Sequence, residues 1–266
     1  MPLPTTQGFY SATNQRQEGT PSTNSSFTWT KQPASGNAYI DTAIVQFGTG
    51  SLYGNTGGGY IQTVTSNTAL DVGTGDFTVE GWVYIPTARA NNQTADIIVN
   101  NRTGGLGIRF GATYNNTSSG LNAISTFARA GTDGPYALYT WPRNQWLHFV
   151  AQRSNTAAGA ANVRFTYWVN GVKLNNSGGG NLNAQNFATT TTGPLTIGNY
   201  NSGGLTDENL RGIYVDELTV AKGIARYDTV GNIVVPVSSF VVDTYTGVLM
   251  HMDGTQGSTT FVNATS

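Results

Sequence analysis

The sequence predicts an all-β protein, a sandwich of two antiparallel sheets of the jelly-roll type or a related double sheet. Three observations support this fold class. Residues 77–85 alternate strictly between the two faces of a strand, about a dozen short segments rich in β-branched and aromatic residues follow one another, and glycine turns separate them. No long stretch shows helical periodicity. Because one sheet cannot bury its own apolar face, a second sheet must cover it.

The strand over residues 77–85 is the clearest in the chain. Its alternate positions form an apolar set, which we expect to face the core, and a second set on the opposite face. The apolar set is Phe77, Val79, Val83 and Ile85, and the opposite set is Thr78, Glu80, Trp82 and Tyr84. Pro86 ends the strand, because proline has no N–H to donate into a ladder.

The clearest hairpin has Asn170-Gly171 at its turn. Both residues tolerate positive φ, so the pair predicts a two-residue type I′ turn. Residues 221–227 are expected to form one helical turn. Other strands are expected at residues 60–64, 97–99, 106–110, 121–128, 136–140, 145–153, 195–198, 212–220 and 248–252. We expect the tryptophans of the three strongest strands to be largely buried in or beside one core: Trp82, Trp146 and Trp168.

The chain of 266 residues is long enough for one large all-β domain with an extension at each end. Residues 1–37 are polar and proline-containing, so we expect an N-terminal arm that wraps over the domain or, alternatively, orders on a partner. Residues 38–255 are predicted to form the sandwich and residues 256–266 a short polar tail. We expect the strand at 248–252 to return to its own sheet. The alternative is pairing with a neighbouring subunit.

Charge and cysteine content exclude several classes of protein. The net charge is −1 and charged residues make up 10% of the chain, against about 25% in an average protein. Such a chain has no electrostatic basis for binding nucleic acid or an anionic membrane. Without cysteine it cannot form disulfides or a thiolate zinc site. The N-terminus lacks the basic and apolar regions of a signal peptide, and no segment approaches the length of a membrane span, so we expect cytosolic synthesis without membrane insertion.

Four motifs occur in a fixed order along the chain: GTGDFTVEGWVY, QWLHFVAQR, YWVNGVKL and GIYVDELTVAKGIARY. This succession resembles the laminin-G-like, concanavalin-A-like lectin/glucanase superfamily over roughly residues 38–255. The resemblance implies a curved concanavalin-A-like jelly-roll sandwich. The KGIARY segment and the closing strand LMHMDG are similar to those of structural proteins of tailed phages, especially marine ones, which implies a virion protein with a lectin-like domain.

The enzymes of this superfamily suggest a direct test for catalysis. The related glucanases set three carboxylates on one strand in an E-x-D-x-E pattern, since glycoside hydrolysis needs an acid and a base or nucleophile. The nearest candidate here is Asp216-Glu217, but Tyr214 and Leu218 occupy the positions where further carboxylates are needed. Neighbouring strand residues also point to opposite faces. We therefore expect Asp216 or Glu217 to be structural and to accept backbone N–H bonds, and we expect no catalytic residue. The two histidines are expected to be packing residues within strands: His148 and His251.

Carbohydrate contact needs aromatic platforms beside amide side chains. The predicted loops supply this chemistry with five residues: Tyr136, Tyr139, Trp141, Asn199 and Tyr200. Trp141, which precedes Pro142, is alternatively a core residue at the rim. The resemblance also implies a possible calcium ion held by loop carboxylates and carbonyls, for which Asp207-Glu208 is the best cluster. No other cofactor is expected.

We interpret the chain as a non-enzymatic structural protein of a tailed-phage virion, either a capsid decoration or a tail or fibre appendage. It is expected on the virion surface after synthesis in the host cytoplasm. Expected partners are other virion proteins or copies of itself, and host-surface polysaccharide. The first alternative is a free lectin-like carbohydrate-binding module. The second is a glycoside hydrolase with an unusual site.

Overall fold

A computed structural model of the chain describes residues 28–32, 38–55, 59–64, 72, 75–87, 95–100, 106–110, 123–128, 132–154, 165–178, 194–198, 210, 212–227 and 231–264. Within these residues the secondary structure consists of strands. The strands are β1 Trp29–Gln32, β2 Ala38–Asp41, β3 Ser51–Gly54, β4 Tyr60–Thr63, β5 Phe77–Tyr84, β6 Ala95–Asn100, β7 Leu106–Phe110, β8 Ala123–Ala128, β9 Thr132–Leu138, β10 Trp146–Arg153, β11 Phe165–Val169, β12 Val172–Leu174, β13 Asn176–Gly178, β14 Leu195–Ile197, β15 Ile213–Lys222 and β16 Thr246–Met250.

The strands form two antiparallel sheets, which confirms the predicted jelly-roll sandwich of the concanavalin-A-like type. The first sheet has the order β1-β4-β14-β6-β7-β8-β9-β13. The second has the order β12-β11-β10-β5-β15-β3-β2, and β16 also pairs with β15. The described residues include no helix with the length and hydropathy that a membrane crossing requires.

The main core lies between the two sheets. The second sheet contributes the four apolar residues that the alternation predicts, three in β5 and one directly after it, and all four are fully buried: Phe77, Val79, Val83 and Ile85. The first sheet contributes Ile61, Ile97 and Leu195 to the same cluster. Because the side chains of a strand alternate, this packing leaves a complete outer face on the second sheet.

That outer face is largely covered by an irregular segment, residues 223–227 and 231–245, which we call the covering segment. It forms a second apolar cluster from Tyr227 and Ile233 with Val150 and Trp168. The indole N–H of Trp168 donates to the carbonyl of Gly231 at 2.9 Å. The residues of β5 that were predicted to face away from the core are therefore also buried, except the last one. The predicted helical turn at 221–227 is wrong, because residues 223–227 extend across the sheet.

The Asn170-Gly171 hairpin is confirmed. Asn170 has φ 47° and Gly171 has φ 78°, as a type I′ turn requires. The turn also anchors the covering segment, because the N–H of Ile233 donates to the carbonyl of Gly171 at 2.8 Å. A Cβ atom at Gly171 would lie 2.5 Å from the carbonyl oxygen of Ile233. Glycine is thus required here both for its conformation and for the close approach of the covering segment.

Both ends of the described chain join the sandwich. Strand β1 lies within the predicted N-terminal arm, yet it pairs with β4 and buries Trp29. Strand β16 pairs with β15 of its own sheet, as predicted. The residues that follow β16, predicted to be a polar tail, pack beside it. The side chain of Asn263 accepts the N–H of Leu249 at 3.0 Å, and Phe261 is buried.

Candidate functional site

The two neighbouring carboxylates of β15 lie at a β-bulge. The register pairs Asp216 with Trp82 but Thr219 with Glu80, so β15 contains one extra residue at this point. The backbone of Glu217 adopts φ 50°, a conformation that residues other than glycine rarely take. The prediction that the two carboxylates point to opposite faces is wrong, because the bulge interrupts the alternation. Both carboxylates reach segments outside the main core.

Asp216 holds the loop between β2 and β3. Its Oδ2 atom accepts the N–H groups of Gln46 at 3.0 Å and Phe47 at 3.1 Å. Its Oδ1 atom accepts the N–H of Glu217 at 2.8 Å. Burial raises the pKa of Asp216 to about 7, although the bonds from Phe47 and Gln46 act in the opposite direction. Each oxygen of this carboxylate is therefore already used within the protein.

Glu217 joins β15 to the covering segment and to the residue that follows β16. One carboxylate oxygen accepts the N–H of Phe240 in the covering segment at 2.8 Å. The other lies 2.7 Å from Nδ1 of His251, which directly follows β16. The hydrogen bond with Glu217 raises the pKa of His251. His251 lies outside the strand and its side chain is 30% exposed, so the prediction of a strand packing residue is wrong for it.

A second group of ionisable residues is buried where the covering segment meets the sheet. Glu80 accepts the hydroxyl of Tyr227 at 2.7 Å and lies 3.5 Å from Nε2 of His148. Arg226 pairs with Asp243 at 2.6 Å. His148 packs against Trp82 with ring centroids 5.2 Å apart, which confirms it as a packing residue. These groups tie the covering segment to the sheet and have no access to a polymeric substrate.

The carboxylates of both groups are engaged in hydrogen bonds or ion pairs within the protein. Hydrolysis needs two carboxyl groups on either side of a bond, with room for the sugar between them. Asp216 and Glu217 accept backbone N–H bonds, as the sequence predicts. Among the residues that the structure describes, no three side chains of His, Asp or Glu gather in a way that could hold a metal ion.

The residues predicted for carbohydrate contact do not form one described site. Tyr136 lies in β9 rather than in a loop and is half-buried. Tyr139 packs edge-on against Trp141 with ring centroids 5.1 Å apart. Trp141 is only 3% exposed and belongs to the main core, so its ring is closed to a sugar, as the rim-core alternative holds. The other predicted site residues lie outside the described residues: Asn199, Tyr200, Asp207 and Glu208.

The sequence interpretation missed a row of aromatic residues across the outer face of the second sheet. We call this row the aromatic strip. Its members, in spatial order, are Tyr39, Tyr53, Tyr214, Tyr84 and Trp146. Each is directly paired with the next in the strand register. All five are half-buried. Since neighbouring strands lie about 4.8 Å apart, four intervals give the strip a length of roughly 19 Å.

The rings of the aromatic strip support one another. Tyr53 and Tyr214 are stacked with centroids 4.4 Å apart, and Tyr39 meets Tyr53 edge-on at 5.4 Å. Tyr84 lies 5.7 Å from both Tyr214 and Trp146. Contacts of this kind restrict the side chains to a few rotamers. The strip is therefore a continuous aromatic surface that is ordered before any ligand binds.

The covering segment stops short of the strip. Phe240 of the covering segment contacts His148, which lies one outward-facing position after Trp146 on β10. Burial, and next the nearby Asp41 carboxylate, raise the pKa of Tyr39 and Tyr214. The hydroxyl groups of Tyr39 and Tyr214 are therefore neutral at physiological pH. Within the described part of the chain, no hydrogen bond uses a hydroxyl of the strip.

A family model for the concanavalin A-like lectin/glucanases superfamily matches residues 55–223, more than half of the chain. The chain belongs to that superfamily, and its two sheets have the lectin-like fold. Comparison with curated proteins gave no match.

Several solved structures are similar to the chain at low sequence identity. A candidate carbohydrate binding protein from Bacteroides ovatus matches with a TM-score of 0.50 and 14% identity, over 91% of this chain and 56% of that one. The chain thus spans little more than half the length of that protein. Domain 4 of AbnA, a GH43 extracellular arabinanase from Geobacillus stearothermophilus solved with arabinotriose, matches with a TM-score of 0.46 and 17% identity, over 74% of this chain and 82% of that one. The binding domain of botulinum neurotoxin serotype D/C matches with a TM-score of 0.45 and 13% identity, over 74% and 48%.

Proposed function

We propose that the chain is a non-enzymatic, lectin-like structural protein of a tailed-phage virion that contacts glycans on the host surface. The observation that carries the non-enzymatic part is the internal use of Asp216 and Glu217. These carboxylates accept backbone N–H groups and a histidine instead of facing a cleft. The low charge and the family membership support a binding role, and the KGIARY and LMHMDG segments support the virion context.

The virion part of the proposal is tested on purified particles of a phage that encodes the chain. Mass spectrometry of the virion proteins should detect the chain at a stoichiometry that fits capsid or tail symmetry. Antibody labelling in electron microscopy should then mark the particle surface. Detection of the chain only in the soluble fraction of the lysate would contradict a virion role.

A free carbohydrate-binding module is the second candidate. The fold likeness to the Bacteroides ovatus structure over 91% of this chain favours it. The two candidates differ in where the protein is found and agree in what it binds. The same fractionation therefore separates them, because a free module remains soluble while the particles sediment.

A further inference from the structure

We propose that the aromatic strip is the glycan-binding site and that its ligand is a linear, neutral polysaccharide lying across the strands. This inference rests on the glycan contact in the proposed function and gives it a site and a ligand class. Aromatic rings bind the apolar faces of sugar rings, and tyrosine hydroxyls can bond to sugar hydroxyls at the edge. Five rings in one row offer several such contacts to one chain.

The length and order of the strip favour a linear polymer over a small sugar. A single ring position could hold one sugar unit, but this row continues over five strands for roughly 19 Å. The stacked pair Tyr53 and Tyr214 lies near the middle of this row, with an edge-on pair at the Tyr39 end and a tilted pair at the Trp146 end. Because the rings are already ordered, binding costs little side-chain entropy.

The charges around the strip favour a neutral ligand. The strip itself has no charged side chain, and Asp41, two residues after Tyr39 on β2, places a carboxylate on the same face of the sheet. A negative charge beside the site repels phosphate, carboxylate and sulfate groups. This arrangement disfavours nucleic acid and acidic polysaccharides.

The exposed area is too small for a stable contact with a second copy of the chain. Five aromatic side chains of about 150–250 Å² each, exposed by at most about a third, present no more than roughly 400 Å². A stable protein interface buries about 800 Å² on each partner. A single polysaccharide chain, in contrast, needs only a narrow surface.

The test is binding of the full chain to a panel of polysaccharides, measured by affinity electrophoresis and then by calorimetry. The neutral probes are mixed-linkage β-glucan, galactomannan and arabinan, and the acidic probes are alginate and polygalacturonate. The strip variants are Trp146→Ala and Tyr214→Ala, with Tyr214→Phe to retain the ring. The matched control is Tyr136→Ala, which removes a half-buried tyrosine from the other sheet and also tests the site predicted from the sequence. Circular dichroism verifies that each variant is folded.

We expect binding of at least one neutral probe. Removal of either ring should weaken this binding about tenfold or more, while Tyr214→Phe loses less affinity and Tyr136→Ala leaves the affinity unchanged.

If binding persists in both strip variants, or is lost in Tyr136→Ala, the strip is not the site although the glycan role stands. Preference for the acidic probes would overturn the ligand class. A wild-type protein that binds no probe would overturn both the inference and the glycan contact. Dimerisation that Tyr214→Ala abolishes would assign the strip to self-association and overturn the inference.

Discussion

One carboxylate oxygen of Glu217 lies 2.7 Å from Nδ1 of His251. This contact joins β15, in the interior of the second sheet, to the residue that follows β16. The other oxygen accepts the N–H of Phe240 in the covering segment at 2.8 Å. A single side chain at a bulge thus connects β15, the end of β16 and the segment that covers the outer face. The first two predictions test this connection.

The stability that His251 supplies should depend on pH. Its pKa is raised in the folded protein by the bond with Glu217, so the folded state holds the proton more tightly than the unfolded state. The contribution is complete below the unfolded pKa of about 6.5 and disappears as the pH rises through the higher folded pKa. His251→Ala should cost roughly 1–3 kcal/mol at pH 5.5 and much less at pH 9. Urea unfolding of both proteins across this range measures the difference, and a gap that grows with pH would contradict the account.

Replacing Glu217 with glycine separates backbone strain from side-chain bonding. Glycine adopts φ 50° without cost and would relieve about 1 kcal/mol of strain if the side chain contributed nothing. We expect Glu217→Gly to destabilise the protein by roughly 1–3 kcal/mol, because Phe240 and His251 lose their partner. Asn144→Gly is the control, since Asn144 also has positive φ but is exposed, and its side chain bonds with Thr87 instead of the covering segment. A stabilised Glu217→Gly protein in urea unfolding would show that the carboxylate does not hold the covering segment.

The tryptophans of the second sheet should differ sharply in their effect on stability. Trp168 is fully buried beneath the covering segment, so Trp168→Ala should cost about 3–5 kcal/mol. Trp146 is half-buried at the end of the aromatic strip, and Trp146→Ala should cost far less. Equal losses of stability in thermal or urea unfolding would show that the covering segment does not bury Trp168.

The C-terminal strand is predicted to be required for folding. Val248 and Met250 are fully buried, and β16 pairs with β15 over Leu218–Ala221. Deletion of residues 248–266 should therefore abolish the cooperative unfolding transition. A truncated protein that remains a stable monomer but fails to assemble would instead show that this strand serves a neighbouring subunit.

The sequence predicted the strands well because each strand is a local pattern. The alternation of residues in β5 identified which side chains lie on each face of the strand. The Asn170-Gly171 pair identified the turn between β11 and β12. Trp82 at 6% exposure and Trp168 are buried as predicted, and Trp146, also predicted to be largely buried, keeps part of its surface exposed. Local pattern gives the direction of a side chain and not what covers it. The sequence therefore predicts no cover for the outer face and places a helical turn at residues 221–227, where the covering segment begins.

The candidate site was harder to predict because it depends on register. The members of the aromatic strip come from five strands that are distant in the chain, and only the pairing of β2, β3, β15, β5 and β10 brings them into one row. The available signal was an outward-facing aromatic residue near one end of each strand, as Tyr84 and Trp146 show. The bulge at Glu217 had no local signal, because glycine or asparagine usually marks such a position.

The most direct test of the central claim, that this lectin-like sandwich is not a glycosidase, is a reducing-sugar assay. Purified protein is incubated with β-glucans and host polysaccharide beside the Asp216→Asn and Glu217→Gln variants. We predict no release above the level of either variant, because both carboxylates are hydrogen-bonded inside the protein. Release of reducing ends by the wild-type protein that disappears with either substitution would contradict the claim.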